Sequence, residues 1–283
     1  MKLVRVWHQI HRWPWPVRGA VKLSVLGAVV VVVLYPKIWL VPRWVERMSD
    51  MNSVLEPEHP RLAQLESVAR AKLASREQGG DVRTVVEETV CETVPYAFDW
   101  ETWGVMDYLP TVEEVFLHGH EDCDGRAVVA ASLLRRMGTD AWLVCDLKHV
   151  WVATPEGELM SPGEGTKTMV GKPGGTQAVI ASDTVANLSR GFAFGIAVFP
   201  LERELIILAA LCLVSLQPRS AVWRRLAGCG LLLAALALFR QAGPSADGLA
   251  IRPWLVWLGM LVAVAGWLAL AMRGRPPAMR PRA

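Results

Sequence analysis

Two residues of the 283-residue chain carry the chemistry of a nucleophile and a base. The first, Cys123, directly precedes the segment DGRAVVAASLLRRMG, in which Ala127, Ala130, Ala131 and Leu134 recur at helical spacing. The N-terminus of a helix carries partial positive charge and unpaired backbone N–H groups, which favour a thiolate and can hold an oxyanion. This position leaves two interpretations open, a reactive nucleophile and an inert core thiol.

A cation is needed beside Cys123, because the motif EDCD surrounds the sulfur with negative charge that disfavours a thiolate. His149 is the best candidate for this partner. It begins the strand-like segment HVWVAT after one intervening strand, so the chain has room to return past the start of the Cys123 helix. On that strand His149 and Trp151 share a face, and Val150 and Val152 point the other way. A lone histidine on a strand is more often an ordinary polar residue, so the pairing carries the prediction.

The segment HGHEDCDGRAVVAASLLRRMG, followed by HVWV, resembles the transglutaminase-like superfamily of cysteine enzymes. The upstream stretch VPYAFDWETWGVMDYLPTVEEVF is similar to the aromatic-rich approach in its bacterial members, and the resemblance covers about residues 80–165. It implies a papain-like α+β fold in which Cys123 attacks an amide carbonyl of a protein or peptide, His149 moves the proton and a thioester forms. Water would then give peptidase or amidase activity, and an amine would give crosslinking.

The third member of the catalytic group departs from the family pattern. The family usually places Asp or Asn on the next strand to orient the histidine. Here that strand is ELMSPG, and the matching position is Ser161, which can accept a hydrogen bond but adds no negative charge. Glu158 and Asp146 are nearby substitutes. This departure favours the alternative function, a catalytically inactive transglutaminase-like module that binds a partner in a membrane assembly.

The motif HGHEDC also admits a zinc interpretation, with His118, His120 and the Cys123 thiolate as ligands. No distant second cluster completes four ligands, so we predict no metal and no other cofactor. Either histidine could instead tune the pKa of Cys123. Three aromatic residues upstream are predicted to form core or cleft wall, and the sequence leaves open which one lines a substrate groove: Trp100, Trp103 and Tyr108.

The other four cysteines do not form a disulfide framework or a zinc motif, since no C-x-x-C spacing occurs. Cys212 and Cys229 lie in apolar runs and are expected to pack as small hydrophobic residues. A disulfide between Cys91 and Cys145 stays open.

Four apolar runs are long enough to be considered as membrane spans, at residues 19–41, 201–217, 222–239 and 254–272. The second and third are short and could pair as a tight hairpin. No acidic or basic residue lies in the middle of a run, which argues against a transporter or channel. The sequence therefore predicts a chain anchored in the lipid bilayer by about four helices, with other membrane proteins as conceivable partners.

The charges predict the orientation of these spans. Residues 43–190 have a net charge of −10, whereas the rest of the chain has +13. Basic flanks stay in the cytoplasm, so the basic N-terminus (1–18) and the basic tail (273–283) are both expected inside. The acidic domain then lies on the extracytoplasmic side of the inner or plasma membrane. Its charge would repel phosphates, which excludes a nucleic acid as partner.

The domain at 43–190 has the pattern of an α+β fold, with helices first and antiparallel strands after them. Its expected elements are a linker at 43–56, helices at 57–78 and after Asp81, one or two helical turns at 111–117, the Cys123 helix ending at Gly138, strands at 140–147, 149–154 and 158–160, and a flexible loop at 161–176.

Overall fold

A computed structural model describes residues 9, 13–76, 80–146, 148–161, 167–179, 184–217, 220–243 and 251–272. The chain divides into two compact units. One is Tyr35–Gly191, which combines helices with a small antiparallel sheet. The other consists of Met1–Leu34 and Phe192–Ala283, and its described part is helical.

In chain order the helices are α1 (Trp15–Leu34), α2 (Val41–Ser49), α3 (Pro60–Ser75), α4 (Val82–Thr93), α5 (Asp99–Thr102), α6 (Val112–His118), α7 (Cys123–Arg136), α8 (Thr184–Val198), α9 (Leu201–Ser215), α10 (Val222–Ala242) and α11 (Pro253–Ala271), with 3₁₀ turns at Ile38–Leu40 and Met51–Val54. The strands are β1 (Trp142–Cys145), β2 (Val150–Thr154), β3 (Gly157–Leu159), β4 (Met169–Lys172) and β5 (Gly175–Ala178). The sheet is antiparallel throughout, in the order β3-β2-β1-β4-β5.

Helix α7 is the central element of the mixed unit. Its residues from Ala127 to Leu134 are all fully buried, because small side chains let the helix approach β1, β2 and the neighbouring helices closely. Asp122 caps its start by accepting a hydrogen bond from the Asp124 N–H at 3.2 Å. Gly138, at φ +91°, ends it in the left-handed conformation expected from the sequence.

Most predicted elements of the domain are confirmed, including α3, α4 with its Asp81 cap, α6, α7 and strands β1 to β3. The predicted linker at 43–56 is wrong, because this segment forms most of α2 and a 3₁₀ turn that belong to the core. Met51 and Val54 are buried, and the Asn52 Oδ1 accepts a hydrogen bond from the Leu143 N–H at 3.1 Å. This segment therefore packs in the core and is hydrogen-bonded to strand β1.

The predicted loop at 161–176 is also wrong in its second half. Residues from Met169 onward form the hairpin β4–β5, which pairs with β1 and extends the sheet. The turn is Pro173–Gly174, with Gly174 at φ +88°, a backbone angle that favours glycine. Residues 162–166 lie outside the described part of the chain.

In the helical unit, α1, α10 and α11 are long and apolar enough to cross a membrane. The second predicted span, 201–217, corresponds to the 15-residue helix α9. At 1.5 Å per residue it is about 22 Å long, which is shorter than the ~30 Å hydrocarbon layer. The structure thus supports a membrane protein with three helices of spanning length. The tail at 273–283 and most of the first twelve residues lie outside the described chain.

Polar and small residues join the helices of this unit. Glu204 near the start of α9 pairs with Arg240 near the end of α10 at 2.7 Å, so these two helices run antiparallel, as the predicted hairpin requires. Between α10 and α11, a Cβ added at Gly228 would come within 2.9 Å of the Gly266 carbonyl oxygen. Glycine therefore lets two apolar helices approach closely, as membrane helices commonly do.

Candidate cysteine site

Cys123 begins α7 and is half-buried. The backbone N–H of Val150 faces its sulfur. Since His149 directly precedes Val150, the fold brings the two sequence-predicted residues to the same place, the junction of α7 and β2. No hydrogen bond joins the Cys123 thiol to the His149 ring among the described residues. The fold therefore brings the two residues to one region of the unit, and their side chains are not hydrogen-bonded to each other within the described residues.

The surroundings of Cys123 keep its thiol protonated. Burial raises the pKa of Cys123 well above its ordinary value, and the negative charge of Asp122 raises it further. The Val150 N–H opposes these effects, and Asp99 and Asp107 add to them. The expected thiolate at the helix start is thus offset by burial and acidic charge.

Two of the first backbone N–H groups of α7, those of Asp124 and Gly125, are occupied. The Asp124 N–H donates to the Asp122 carboxylate, and the Gly125 N–H donates to the Asp124 carboxylate at 2.6 Å. These donors are therefore not available for an oxyanion in this arrangement, in contrast to the expectation from the sequence. The Val150 N–H is the donor that faces the Cys123 sulfur.

The ring of His149 is held by a backbone carbonyl. Its Nε2 lies 2.6 Å from the Met160 oxygen, and a carbonyl can only accept, so Nε2 carries the proton in the neutral ring. This leaves Nδ1 as the unprotonated acceptor. Met160 has φ +57°, a left-handed conformation that is rare outside glycine. The ring also stacks on Trp151 at 6.2 Å, with 14° between the planes, as their shared strand face predicts.

The three side chains considered as the third member have other hydrogen-bond partners. Asp146 Oδ1 accepts from the His149 backbone N–H at 2.8 Å and so shapes the turn between β1 and β2. The Ser161 hydroxyl donates to Glu158 Oε2 at 2.9 Å, and the same oxygen accepts from the Trp151 Nε1–H at 3.0 Å. The sequence could not predict that the Met160 carbonyl accepts the hydrogen bond from the His149 ring. Every residue has a carbonyl, and no residue type in the turn around Met160 signals its orientation.

Two of the predicted aromatic residues belong to the core. Trp103 and Tyr108 are buried and pack together with ring centroids 4.5 Å apart. The Trp103 Nε1–H donates to the Glu121 carboxylate, and the Tyr108 hydroxyl donates to Glu114 at 3.1 Å. Trp103 therefore fixes the position of Glu121, two residues before Cys123, and Tyr108 fixes that of Glu114, so neither aromatic side chain lines a groove.

An aromatic strip of Tyr96, Phe98 and Trp100 lies beside the site. Phe98 stacks on Trp100 at 4.2 Å and meets Tyr96 edge to face at 5.3 Å. Tyr96 is 48% exposed and forms a bridge with Glu121, two residues before Cys123. Of the three predicted aromatic residues, Trp100 is the one that is only partly buried, whereas Trp103 and Tyr108 are buried. Tyr96 and Phe98 were missed, although the alternating aromatics of YAFDW are a signal for them.

Four carboxyl groups converge behind Cys123, and we refer to Asp99, Glu121, Asp122 and Asp124 as the acidic cluster. One oxygen from each lies within 4.8 Å of the others. Burial raises the pKa of Glu121 to about 8, with Asp122 contributing. Burial also raises the pKa values of Asp99 and Asp124 well above their ordinary range. This is the one convergent group of potential ligands within the described residues, and it does not include the predicted zinc candidates His118 and His120.

The cysteines of the mixed unit other than Cys123 are free thiols, so the Cys91–Cys145 disulfide is absent. Cys91 is exposed and accepts a long contact from Arg126 at 3.9 Å. Cys145 is buried in β1, and burial raises its pKa to about 12. Cys145 is therefore an unreactive internal reference for any experiment on Cys123.

Searches of protein-family models, of curated proteins and of solved structures found no match to this chain.

Proposed function

We propose that this chain is a membrane-tethered cysteine enzyme of the transglutaminase-like type, which acts on amide bonds of proteins or peptides through a thioester on Cys123. One observation carries the proposal. The start of α7 places Cys123 against the N–H of Val150, the residue after His149, and the His149 Nε2–H is held by the Met160 carbonyl. That arrangement brings the two residues to the junction of α7 and β2 and leaves His149 Nδ1 as the unprotonated nitrogen, which supports its role as the base.

The reaction follows from the protonation states of these groups. Because burial keeps Cys123 as a thiol, the proton passes from sulfur to His149 Nδ1 as the sulfur attacks the carbonyl carbon. The C–N bond of the amide then breaks, and the leaving amine takes the proton from the imidazolium. Water attacks the thioester with His149 again as base, giving a carboxylic acid and the free thiol. An amine in place of water gives a new amide.

A second candidate function, an inactive binding module of the same fold, is favoured by two specific observations. Burial and the charge of Asp122 raise the pKa of Cys123. The ring of His149 is oriented by an uncharged carbonyl, which stabilises an imidazolium less than a carboxylate does. The aromatic strip would then serve to bind a partner.

Acylation of the full-length chain in detergent distinguishes the two functions. With p-nitrophenyl acetate at neutral pH we expect a burst of one p-nitrophenolate per chain, and peptide mapping by mass spectrometry should place the acetyl group on Cys123. Cys145 should stay unmodified because its thiol is buried. The matched control Cys91→Ser removes an exposed thiol and should keep the burst, whereas Cys123→Ala should lose it. Equal acetylation of Cys91 and Cys123 without a burst would favour the binding module.

We further propose four membrane spans with the mixed unit outside the cytoplasm. The basic flanks support this orientation, and the antiparallel Glu204–Arg240 pair supports α9 and α10 as a hairpin. Four spans place both termini inside, whereas the three long helices alone would place the C-terminus outside. A C-terminal green fluorescent protein fusion in a bacterial host should therefore fluoresce, and a C-terminal alkaline phosphatase fusion should be inactive. The opposite pair of results would show three spans.

A further inference from the structure

An exposed apolar surface directly follows the first helix of membrane-spanning length. Helix α1 ends at Leu34, because Pro36 disfavours helical backbone at the residue before it. A 3₁₀ turn and helix α2 follow, and both belong to the mixed unit. Three large apolar side chains of this segment are exposed, and we refer to them as the juxtamembrane patch: Ile38 at 57%, Trp39 at 66% and Val45 at 54%.

Other side chains of the same segment hold it on the mixed unit. Leu40 is buried in an apolar cluster. Trp44 and Arg47 share one face of α2, where the Trp44 Nε1–H donates to Asp107 at 2.7 Å and Arg47 pairs with Glu114 at 2.6 Å. These contacts are sufficient to attach the segment to the unit. The exposed patch is therefore a surface that the fold itself does not use.

The connection to α1 places this patch at the membrane surface. Helix α1 has 20 residues and is about 30 Å long, so when it spans the hydrocarbon layer its last residue, Leu34, lies at the edge of that layer. Ile38 follows four positions later and so lies within about 14 Å of Leu34. Tryptophan is enriched at this boundary, and the exposed Lys37 offers a cation to lipid phosphates. The partner that this position and these side chains fit is therefore lipid.

We propose that the mixed unit docks on the bilayer surface through the juxtamembrane patch, whose three side chains insert among the lipid headgroups and upper acyl chains. Insertion is favourable because it removes large apolar side chains from water. The docked segment also contacts the surroundings of the candidate site. Leu40 packs in one cluster with Trp103, whose indole N–H donates to Glu121, two residues before Cys123. Docking rests on α1 as a membrane span and does not depend on the proposed enzymatic function.

Photocrosslinking of the full-length chain in nanodiscs of phosphatidylcholine and phosphatidylglycerol tests the docking. The photoreactive residue p-benzoylphenylalanine replaces one side chain at a time, and mass spectrometry identifies lipid adducts on the peptide that carries it. Val45→p-benzoylphenylalanine should give a lipid adduct. So should the same replacement of Val32, a 61% exposed residue of α1 that reports on the span itself. The matched control is Val68, a 42% exposed valine on α3 of the mixed unit with Ser67 and Arg70 as exposed neighbours, and its replacement should give no adduct.

Each other result overturns the proposal. An adduct at position 32 without one at position 45 means that the mixed unit stands clear of the lipid, and no adduct at position 32 removes the span on which docking rests. Equal adducts at positions 45 and 68 mean that lipid contact is not specific to the patch. Crosslinking from position 45 to a second copy of the chain instead of lipid makes the patch a protein interface.

Two further variants keep the test decisive. Should the chain altered at Val45 fail to fold, Trp39→p-benzoylphenylalanine takes its place, since it exchanges one exposed aromatic side chain for another, and absence of a lipid adduct there also rejects docking. Cys123→Ala should leave the adduct at position 45 unchanged, so failure of docking and failure of catalysis are separable.

Discussion

Replacing His149 with alanine is expected to slow the acylation of Cys123 by p-nitrophenyl acetate by about 10²- to 10⁴-fold. The reason is the protonation state of the sulfur. Since burial keeps Cys123 as a thiol, its proton must be removed during the attack, and we propose Nδ1 of His149, the residue before Val150, as the base. The burst rate measured by stopped flow at neutral pH gives the effect directly. Circular dichroism of the variant shows whether the fold is kept.

Two further variants decide whether this loss belongs to His149 alone. His120→Ala removes the imidazole three residues before Cys123, whose one ring contact among the described residues is with His118, and it should leave the burst rate unchanged. Ser161→Ala should cost less than about tenfold, because the Met160 carbonyl holds the ring and the Ser161 hydroxyl donates to Glu158. A loss with His120→Ala as large as that with His149→Ala would mean that the base is misassigned.

The sequence predicts the central part of the mixed unit well, because local patterns determine it. The small-residue periodicity of α7, its start at Cys123 and its end at Gly138 are all encoded within one segment. The strands β1 and β2 follow as a hairpin whose register pairs Cys145 with Val150. That register returns the chain toward the start of α7, as the single intervening strand between Cys123 and His149 predicted.

The elements that were mispredicted depend on long-range contacts. The segment around Met51 has no helical or strand periodicity of its apolar residues, and its order comes from burial of Met51 and Val54 and from Asn52, which hydrogen-bonds a strand ninety-one positions away. The hairpin β4–β5 contains Gly171, Gly174 and Gly175, residues that local propensity assigns to loops. It becomes a strand pair because β1 offers an unpaired edge. A local window of sequence shows neither the hydrogen bond between Asn52 and Leu143 nor the pairing of β4 with β1.

The chemistry of the site shows the same limit. The acidic residues of EDCD were recognised as unfavourable for a thiolate, but Asp99, twenty-two positions before Glu121, joins them only through the fold. The partner of His149 is a backbone oxygen aimed by the left-handed conformation of Met160. Residue types predict a nucleophile and a base, whereas the charge around them and the atom that orients the ring depend on tertiary structure.

The second large effect is expected in the helical unit, where Arg240→Leu should destabilise the chain by about 3–5 kcal/mol. Arg240 pairs with Glu204 at 2.7 Å and also donates to the carbonyl oxygens of Ile196 and Phe199 at 3.2 and 3.0 Å. Glu204 is 7% exposed, so removing the guanidinium leaves a buried carboxylate and open carbonyls in an apolar setting. Unfolding of the detergent-solubilised chain measures the loss of free energy.

A double-variant cycle separates the ion pair from the packing of Arg240. Glu204→Leu combined with Arg240→Leu removes both charges, so it should be at least about 1 kcal/mol more stable than Arg240→Leu alone. The recovery should be incomplete, because the carbonyl oxygens of Ile196 and Phe199 still lack their donor. The matched control Glu202→Leu changes an exposed carboxylate on the same turn of α9 and should have little effect. If the double variant is no more stable than Arg240→Leu, the guanidinium acts through the carbonyls at the end of α8, and the pair with Glu204 adds nothing to the hairpin.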